Sequence, residues 1–149
     1  MISHLPVNHP LRPLYRVLAA LCGGYSLVFG IVGFTQTRDR PLFARTDLAW
    51  VLGLRTNLAF AVLSLVGGAV LVVGAVIGRN LDFAVNTIGG IVLMVVGMAM
   101  LGLMQTDANI LGFSMSNCVV SLVLGTIVFT AGLYGRTAAP GAPAARPHA

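Results

Sequence analysis

The chain has 149 residues, of which 57% are hydrophobic and only 9% are charged, and its mean hydropathy is +0.92. A soluble domain of this length needs a charged surface, so the composition excludes that class and indicates a membrane protein. The net charge of +5 comes from nine arginines and four aspartates scattered over loops and tails, without the basic patch of a nucleic-acid-binding protein, so we expect no nucleic-acid partner.

The N-terminal part combines a proline-rich segment with a first apolar run. Residues 1–13 contain three prolines and cannot form a continuous helix, so we predict an extended lead-in. The apolar run from Val17 to Thr35 follows Arg12 and Arg16, as in a signal peptide. Because the run continues well past Cys22, we predict that it is retained as the first membrane-spanning helix.

Residues 36–56 form the longest polar connection between the predicted spans. Within it, Asp47–Leu54 is interpreted as a short helix capped by Thr46 or Asp47. This segment is too short to cross a membrane. We therefore expect it to lie at the level of the lipid headgroups, where Trp50 would be an interfacial anchor.

Three further apolar runs predict three more spans. Leu58–Ile77 holds no charge over twenty residues, and a helix of that length rises about 30 Å, the thickness of the hydrocarbon core. The short link Gly78–Leu81 follows, with Asp82 placed to cap a third helix, Phe83–Met104, so helices 2 and 3 should form an antiparallel hairpin. After a polar loop, Phe113–Tyr134 is the fourth span.

The domain organisation follows from these spans. Residues 14–136 form the four-helix membrane domain, and the Pro/Ala-rich residues 137–149 form a cytoplasmic tail that cannot bury a core. With the N-terminus inside, the cytoplasmic segments carry five arginines and the outer segments four, the latter in one long loop with two aspartates. The positive-inside rule therefore predicts a multi-pass protein of the plasma membrane with both termini cytoplasmic. The use of arginine without lysine indicates a GC-rich, bacterial genome.

A short motif, Ser-Leu-Val-x-Gly, occurs three times, at Ser26–Gly30, Ser64–Gly68 and Ser121–Gly125. Helices 2 and 4 also share a Gly-Arg pair at the fifteenth and sixteenth positions from the serine. These two helices run in the same direction, so the pattern indicates two duplicated hairpins, unless residues common in membrane helices recur by chance. A pseudo-twofold bundle would distinguish these interpretations.

Small residues mark the faces along which the helices should pack. In lipid, helices associate through close backbone approach rather than by expulsion from water. We expect helix interfaces at one set of small residues: Ser26, Gly30, Gly68, Gly74, Gly78, Gly89, Gly97 and Gly125. Their spacing does not distinguish an interface within this chain from one with a second copy or another subunit.

The groups that catalysis or cofactor binding needs are missing from the predicted spans. All three histidines lie outside them, and no charged residue lies deep within one. An intramembrane haem site and a proton relay would both need such groups. No metal-ligand spacing, phosphate-binding loop or nucleophile motif occurs either. We therefore expect no cofactor, no metal and no enzymatic activity.

The polar side chains within the spans allow two interpretations. They can satisfy one another or backbone carbonyls in a purely structural role. Alternatively, four of them form a narrow polar seam for a quinone headgroup or a small solute: Asn86, Asn117, Ser121 and Ser64. A quinone site would also need an apolar cleft that opens to lipid beside one of these residues.

Residues Asn57–Gly68 and Asn117–Arg136 resemble a family of small four-helix membrane proteins from actinobacteria, catalogued only as a domain of unknown function. The likeness covers about Pro13 to Arg136. Near the start of helices 2 and 4, family members tend to have a His followed by Leu, with a Gly four residues after the His. In this chain, Ser64 and Ser121 stand at the positions of the His. The resemblance implies the fold and the plasma-membrane location but no activity. The serines remove the ligands that a metal or haem would use.

Two functional hypotheses follow. The leading one is a noncatalytic subunit that assembles with itself or with a larger plasma-membrane complex, such as a respiratory one. The alternative is a small oligomeric channel or permease with a path lined by Asn and Ser side chains. Both place the protein in a lipid bilayer, with other membrane subunits or further copies of itself as partners.

Overall fold

The computed structural model describes residues 7–138, so the first six residues of the predicted lead-in and most of the predicted tail lie outside the described residues. The described chain consists of four helices and one β-hairpin between the first two helices: α1 (Arg12–Thr37), β1 (Ala49–Val51), β2 (Leu54–Thr56), α2 (Leu58–Ile77), α3 (Leu81–Leu103) and α4 (Met115–Leu133). Each helix is long and apolar enough to cross a membrane. The prediction of an all-α, multi-pass, four-helix membrane bundle is confirmed.

Local signals account for the ends of the helices. The bounds of α2 agree with the predicted span: the side chain of Asn57 accepts a hydrogen bond from the Phe60 N–H at 3.0 Å, and Gly78 ends the helix with φ 68°. Helix α1 begins at Arg12, inside the segment 1–13 that was expected to be extended. Pro13 is compatible with this start because it lies in the first turn, where its missing N–H has no helical partner.

The short interfacial helix predicted over Asp47–Leu54 is wrong, because this region forms the β1–β2 hairpin. Leu52 and Gly53 both have positive φ angles, 48° and 83°, as in the type I′ turn that matches the twist of paired strands. Burial alternates along both strands, which leaves Trp50 and Arg55 as an exposed cross-strand pair. This period of two is a strand signal that the helical interpretation missed.

The bundle is built from two helix pairs. Helix α1 packs mainly against α2, and α3 mainly against α4, whereas the α2–α3 hairpin has much less contact between its helices. Both tight crossings need glycine. A Cβ atom at Gly30 would lie 2.3 Å from the backbone nitrogen of Leu65, and one at Gly90 would lie 2.4 Å from that of Phe129.

Equivalent contacts recur in the two pairs. Gly23 faces Val72 between α1 and α2, and Gly90 faces Phe129 between α3 and α4. Adding 67 to a residue number in α1 gives the equivalent position in α3, as from 23 to 90. Adding 57 to a residue number in α2 gives the equivalent position in α4, as from 72 to 129. The same shifts relate further contacts: Gly30 with Leu65 to Gly97 with Leu122, and Gly68 with Leu27 to Gly125 with Met94. Contacts spaced in this way follow from antiparallel packing once one contact is aligned, so the support for two duplicated hairpins is that glycine recurs at three equivalent positions: Gly23 and Gly90, Gly30 and Gly97, and Gly68 and Gly125.

Most of the predicted packing residues lie at helix contacts. Gly30, Gly68, Gly97 and Gly125 lie at the α1–α2 and α3–α4 crossings, and Gly74 faces Val85 between α2 and α3. Gly78 ends α2 with a φ of 68° and lies beside the Arg16 guanidinium of α1, so it contacts another helix from a turn position.

Candidate functional site

A cavity of about 530 Å³ lies between α2 and α3. Its walls come from these two helices, its floor comes from α1 and α4, and Leu54, Leu111 and Phe113 close the end near the hairpin. The cavity exists because α2 and α3 are joined by a tight turn but pack less closely than the helices within each pair. We call it the α2–α3 cleft.

The α2–α3 cleft opens on the lateral surface of the bundle. Val66 and Val70 of α2 and Ile88 and Val92 of α3 line it and are at least half exposed. Gly67 adds space, since a Cβ atom there would have no heavy atom within 4 Å. This surface belongs to the membrane-spanning helices, so the cleft opens at the side of the bundle rather than at one of its ends.

Three aromatic rings form the hairpin end of the cleft. The ring of Phe60 lies 5.2 Å from that of Phe29 and 4.5 Å from that of Phe113, centroid to centroid. All three residues line the cavity. Their tilted and edge-to-face arrangement is favourable for aromatic rings, so this end has a defined shape.

The polar groups of the cleft are hydroxyls. Ser26, Ser64 and Ser121, the three serines of the repeated motif, all line it, together with Tyr25. Ser121 is only 7% exposed. No charged residue or histidine lies among the lining residues, so the site can donate and accept hydrogen bonds but provides no charge.

The predicted polar seam is not formed as one unit. Ser64 and Ser121 share the cleft, but Asn117 lies at the hairpin end of α4, where its side chain donates to the Arg55 carbonyl at 2.7 Å and accepts from the Arg55 N–H at 3.2 Å. Asn86 lies towards the other end of the bundle, near the start of α3. It is 1% exposed, and its Oδ1 has no hydrogen-bond partner among the described residues.

A buried ion pair, which the sequence interpretation missed, joins the helices at the end of the bundle where α1 begins. Asp82 lies in the first turn of α3 rather than at its N-cap, which is Asn80, and its Oδ1 accepts from the Phe83 N–H at 3.0 Å. Its side chain is fully buried and accepts from Arg12 Nη2 at 2.9 Å, with Arg16 Nε 3.8 Å away. Arg16 also donates to the Ala75 carbonyl in the last turn of α2, and Arg12 donates to the Gly135 carbonyl. The only sequence signal was the spacing of four between the two arginines, which places them on one face of α1. These bonds give the cluster a structural role.

The hairpin forms the opposite end of the bundle. The guanidinium of Arg55 lies 5.2 Å from the centre of the Trp50 ring, which is 59% exposed. Arg45 pairs with Asp107 in the loop between α3 and α4. An exposed Trp beside an Arg is typical of a membrane–water interface, so the interfacial anchor at Trp50 stays a prediction, now on a strand.

Comparisons with known proteins identify a family but no function. Within residues 7–138, no three His, Cys, Asp or Glu side chains are grouped so that they could hold a metal ion. No curated protein and no solved structure matches the chain. A family model described as a domain of unknown function (DUF4383) matches residues 16–134, from the second turn of α1 to just past the end of α4. The chain therefore belongs to the DUF4383 family, as the resemblance in its helix 2 and helix 4 motifs implied.

Proposed function

We propose that this protein is a noncatalytic membrane protein that binds a lipid-soluble molecule in the α2–α3 cleft. The observation that supports this proposal most directly is a cavity of about 530 Å³ that opens laterally between two membrane helices. Small-molecule sites in proteins typically measure about 300–1,000 Å³ and are mostly apolar with a few placed polar groups. The α2–α3 cleft has this size and this composition.

The distribution of charge supports a binding role over chemistry. Asp82, the aspartate nearest to the cleft along the chain, is bonded to Arg12 at 2.9 Å in the buried cluster at the end of the bundle. General acid–base catalysis needs a titratable group within reach of the substrate. The hydroxyls of the cleft can orient a bound molecule, but none has a neighbouring base among the lining residues.

The test uses the full-length protein purified from its own membranes in mild detergent, followed by solvent extraction and mass spectrometry. We expect a lipid-soluble compound to copurify with the wild type and to be lost from the Gly67→Leu variant, whose new side chain would project into the cleft. Gly102→Leu is the matched control. A Cβ atom at Gly102 also has no neighbour within 4 Å, but Gly102 does not line the cleft. Equal lipid content in all three proteins would contradict the proposal.

Assembly with other membrane subunits, or with further copies of this chain, is a second proposal. It is supported by Gly24 on α1, where a Cβ atom would have no neighbour within 4 Å. Small residues at open positions allow another helix to approach closely. Native-gel mass determination of the purified protein should then reveal a stoichiometric partner, as in a larger plasma-membrane complex, or a defined homo-oligomer. A monomer in native lipid would contradict this second proposal.

The channel alternative has less support. Asn86 and Asn117 lie near opposite ends of the bundle, and the Asn117 amide is already bonded to the Arg55 backbone. A path through several copies would need a line of polar groups across the membrane. Flux through liposomes containing the wild-type protein, reduced by Ser121→Ala, would restore this alternative.

Orientation in the plasma membrane is a separate prediction. Among the described residues, each end of the bundle carries four arginines, so the cytoplasmic placement of the termini depends on Arg146 in the tail and on the uneven loops. The test uses a reporter enzyme that is active only in the cytoplasm. We expect this reporter to be active when it is fused after residue 138 and inactive when it is inserted at the β1–β2 turn.

A further inference from the structure

We propose that the ligand of the α2–α3 cleft is an uncharged ring compound with carbonyl oxygens and an apolar tail, the chemistry of an isoprenoid quinone. This inference rests on the proposed function, because it names the class of molecule that the cleft takes. Four features of the cleft support this inference: hydroxyls without a hydrogen-bond partner, the absence of charged residues, the aromatic rings at the hairpin end and the lateral opening.

The first feature is a contrast among the hydroxyls of the helices. Thr37, Thr126 and Thr130 each donate to the backbone carbonyl four residues earlier, at 2.7–2.8 Å. The hydroxyls of Ser26, Ser64 and Ser121 make no hydrogen bond to any described residue, although Ser121 is only 7% exposed. The Thr87 hydroxyl is also buried without a partner among the described residues, but it does not line the cleft. Hydrocarbon offers no hydrogen-bonding partner, so a hydroxyl that is not bonded within the protein favours an occupant with acceptor oxygens.

The second feature is the absence of charge from the lining of the cleft. A phosphate, carboxylate or ammonium group in the cleft would lose its hydration without gaining a counter-charge. This excludes an ionic headgroup at the depth of the serines. Ser64 and Ser121 are each six residues from the first residue of their helices, which places them about 9 Å along the helix axis. Neutral acceptors such as carbonyl oxygens suit this depth.

The third feature is the shape of the hairpin end. The rings of Phe29, Phe60 and Phe113 follow one another at 5.2 and 4.5 Å and all line the cavity. Tilted aromatic rings pack well against another flat ring, through its face or its edge. A conjugated ring seated here would lie within the same cavity as the three serines. An acyl chain would gain no comparable contact.

The fourth feature is the lateral opening of the cleft. Its volume of about 530 Å³ lies within the range of small-molecule sites, about 300–1,000 Å³. The rim residues Val66 and Ile88 are exposed and apolar, so a tail can leave the cleft into lipid.

The experiment measures binding to the full-length protein in nanodiscs. The probe is a radiolabelled 1,4-naphthoquinone with a decyl tail, and the comparison compound is radiolabelled decylnaphthalene, which has the same fused carbon skeleton and tail but no carbonyl oxygens. We expect saturable binding of the quinone at least tenfold tighter than that of the hydrocarbon. Ser64→Ala/Ser121→Ala should remove this preference, whereas Thr130→Val, whose hydroxyl is bonded to a backbone carbonyl, should keep it.

The outcomes separate this inference from the proposed function. Equal affinity of the wild type for the two compounds would overturn the carbonyl-binding role of the serines. If Gly67→Leu abolished that binding, the result would still support a lipid-soluble ligand in the cleft. Failure of both compounds to bind saturably would overturn both proposals. The comparison of compounds on the wild type needs no variant, so the test holds even if the double serine variant does not fold.

Discussion

Replacing Gly30 by alanine should weaken the bundle, while the same change at Gly24, six residues earlier on α1, should not. A Cβ atom at position 30 would lie 2.3 Å from the backbone nitrogen of Leu65, whereas ordinary contact begins at 3.4 Å, so α1 and α2 would have to separate by about 1 Å. A gap of about 0.5–1 Å removes roughly a quarter to a half of the dispersion energy of each affected contact. The obstacle is backbone, which cannot rotate away.

The expected magnitude follows from two opposing terms. Overpacking of this kind costs about 1–3 kcal/mol, and we expect the upper end because backbone is involved. Alanine gains about 1 kcal/mol in helix propensity over glycine, which leaves Gly30→Ala about 2 kcal/mol less stable. Gly24 has no neighbour within 4 Å of a Cβ atom, so Gly24→Ala keeps only the gain, about 1 kcal/mol.

The two native cysteines provide the assay. Cys22 and Cys118 are free and buried, so a thiol-reactive fluorophore will label them only when the bundle opens. For a chain of this size, a change of 1 kcal/mol shifts Tm by roughly 2–4 °C. We therefore expect Tm to fall by about 4–8 °C for Gly30→Ala and to rise by about 2–4 °C for Gly24→Ala.

Equal Tm values for the two variants would refute the direct backbone contact between α1 and α2. The α3–α4 crossing adds a second check. A Cβ atom at Gly90 would lie 2.4 Å from the Phe129 nitrogen. Gly90→Ala should therefore lower Tm as Gly30→Ala does. A neutral Gly90→Ala would contradict the direct backbone contact between α3 and α4.

Three further substitutions test the polar contacts. Asp82→Asn removes the carboxylate from the Arg12–Arg16 cluster and should cost about 2–4 kcal/mol in the thiol-labelling assay; an unchanged Tm would show that the ion pair contributes nothing. Asn117→Ala should speed hydrogen exchange at the Arg55 amide, which donates to the Asn117 side chain at 3.2 Å, whereas the exposed Ser116→Ala should leave that rate unchanged. Asn86→Leu, with the same number of side-chain heavy atoms, should stabilise by about 1 kcal/mol because it removes a buried carbonyl that lacks a partner; a lower Tm would mean that this carbonyl has a partner.

The candidate site was predictable only in part. Ser64 and Ser121 were expected in a polar seam, and the structure brings them into one cleft with Ser26, which had been assigned to helix packing. Asn86 and Asn117, expected in the same seam, lie near opposite ends of the bundle. Residue type indicates which side chains are polar within a span. It does not give the rotation of each helix, which decides whether two polar side chains face the same cavity.

Features that depend on a few neighbouring residues could be predicted from the amino-acid sequence alone. Four uncharged runs give four membrane helices because backbone groups in lipid must bond within the helix, and Asn57 and Gly78 set the ends of α2 through their own hydrogen bond and φ angle. Three other features become visible only in the folded chain: the pairing of α1 with α2 and of α3 with α4, the burial of Asp82 between arginines, and the cleft between α2 and α3. These features depend on where backbones approach closely, which a loop length does not specify. The hairpin combines both kinds of feature. Its turn depends on the neighbouring residues Leu52 and Gly53, whereas the hydrogen bond from the Arg55 N–H to Asn117 joins residues that are 62 positions apart in the chain.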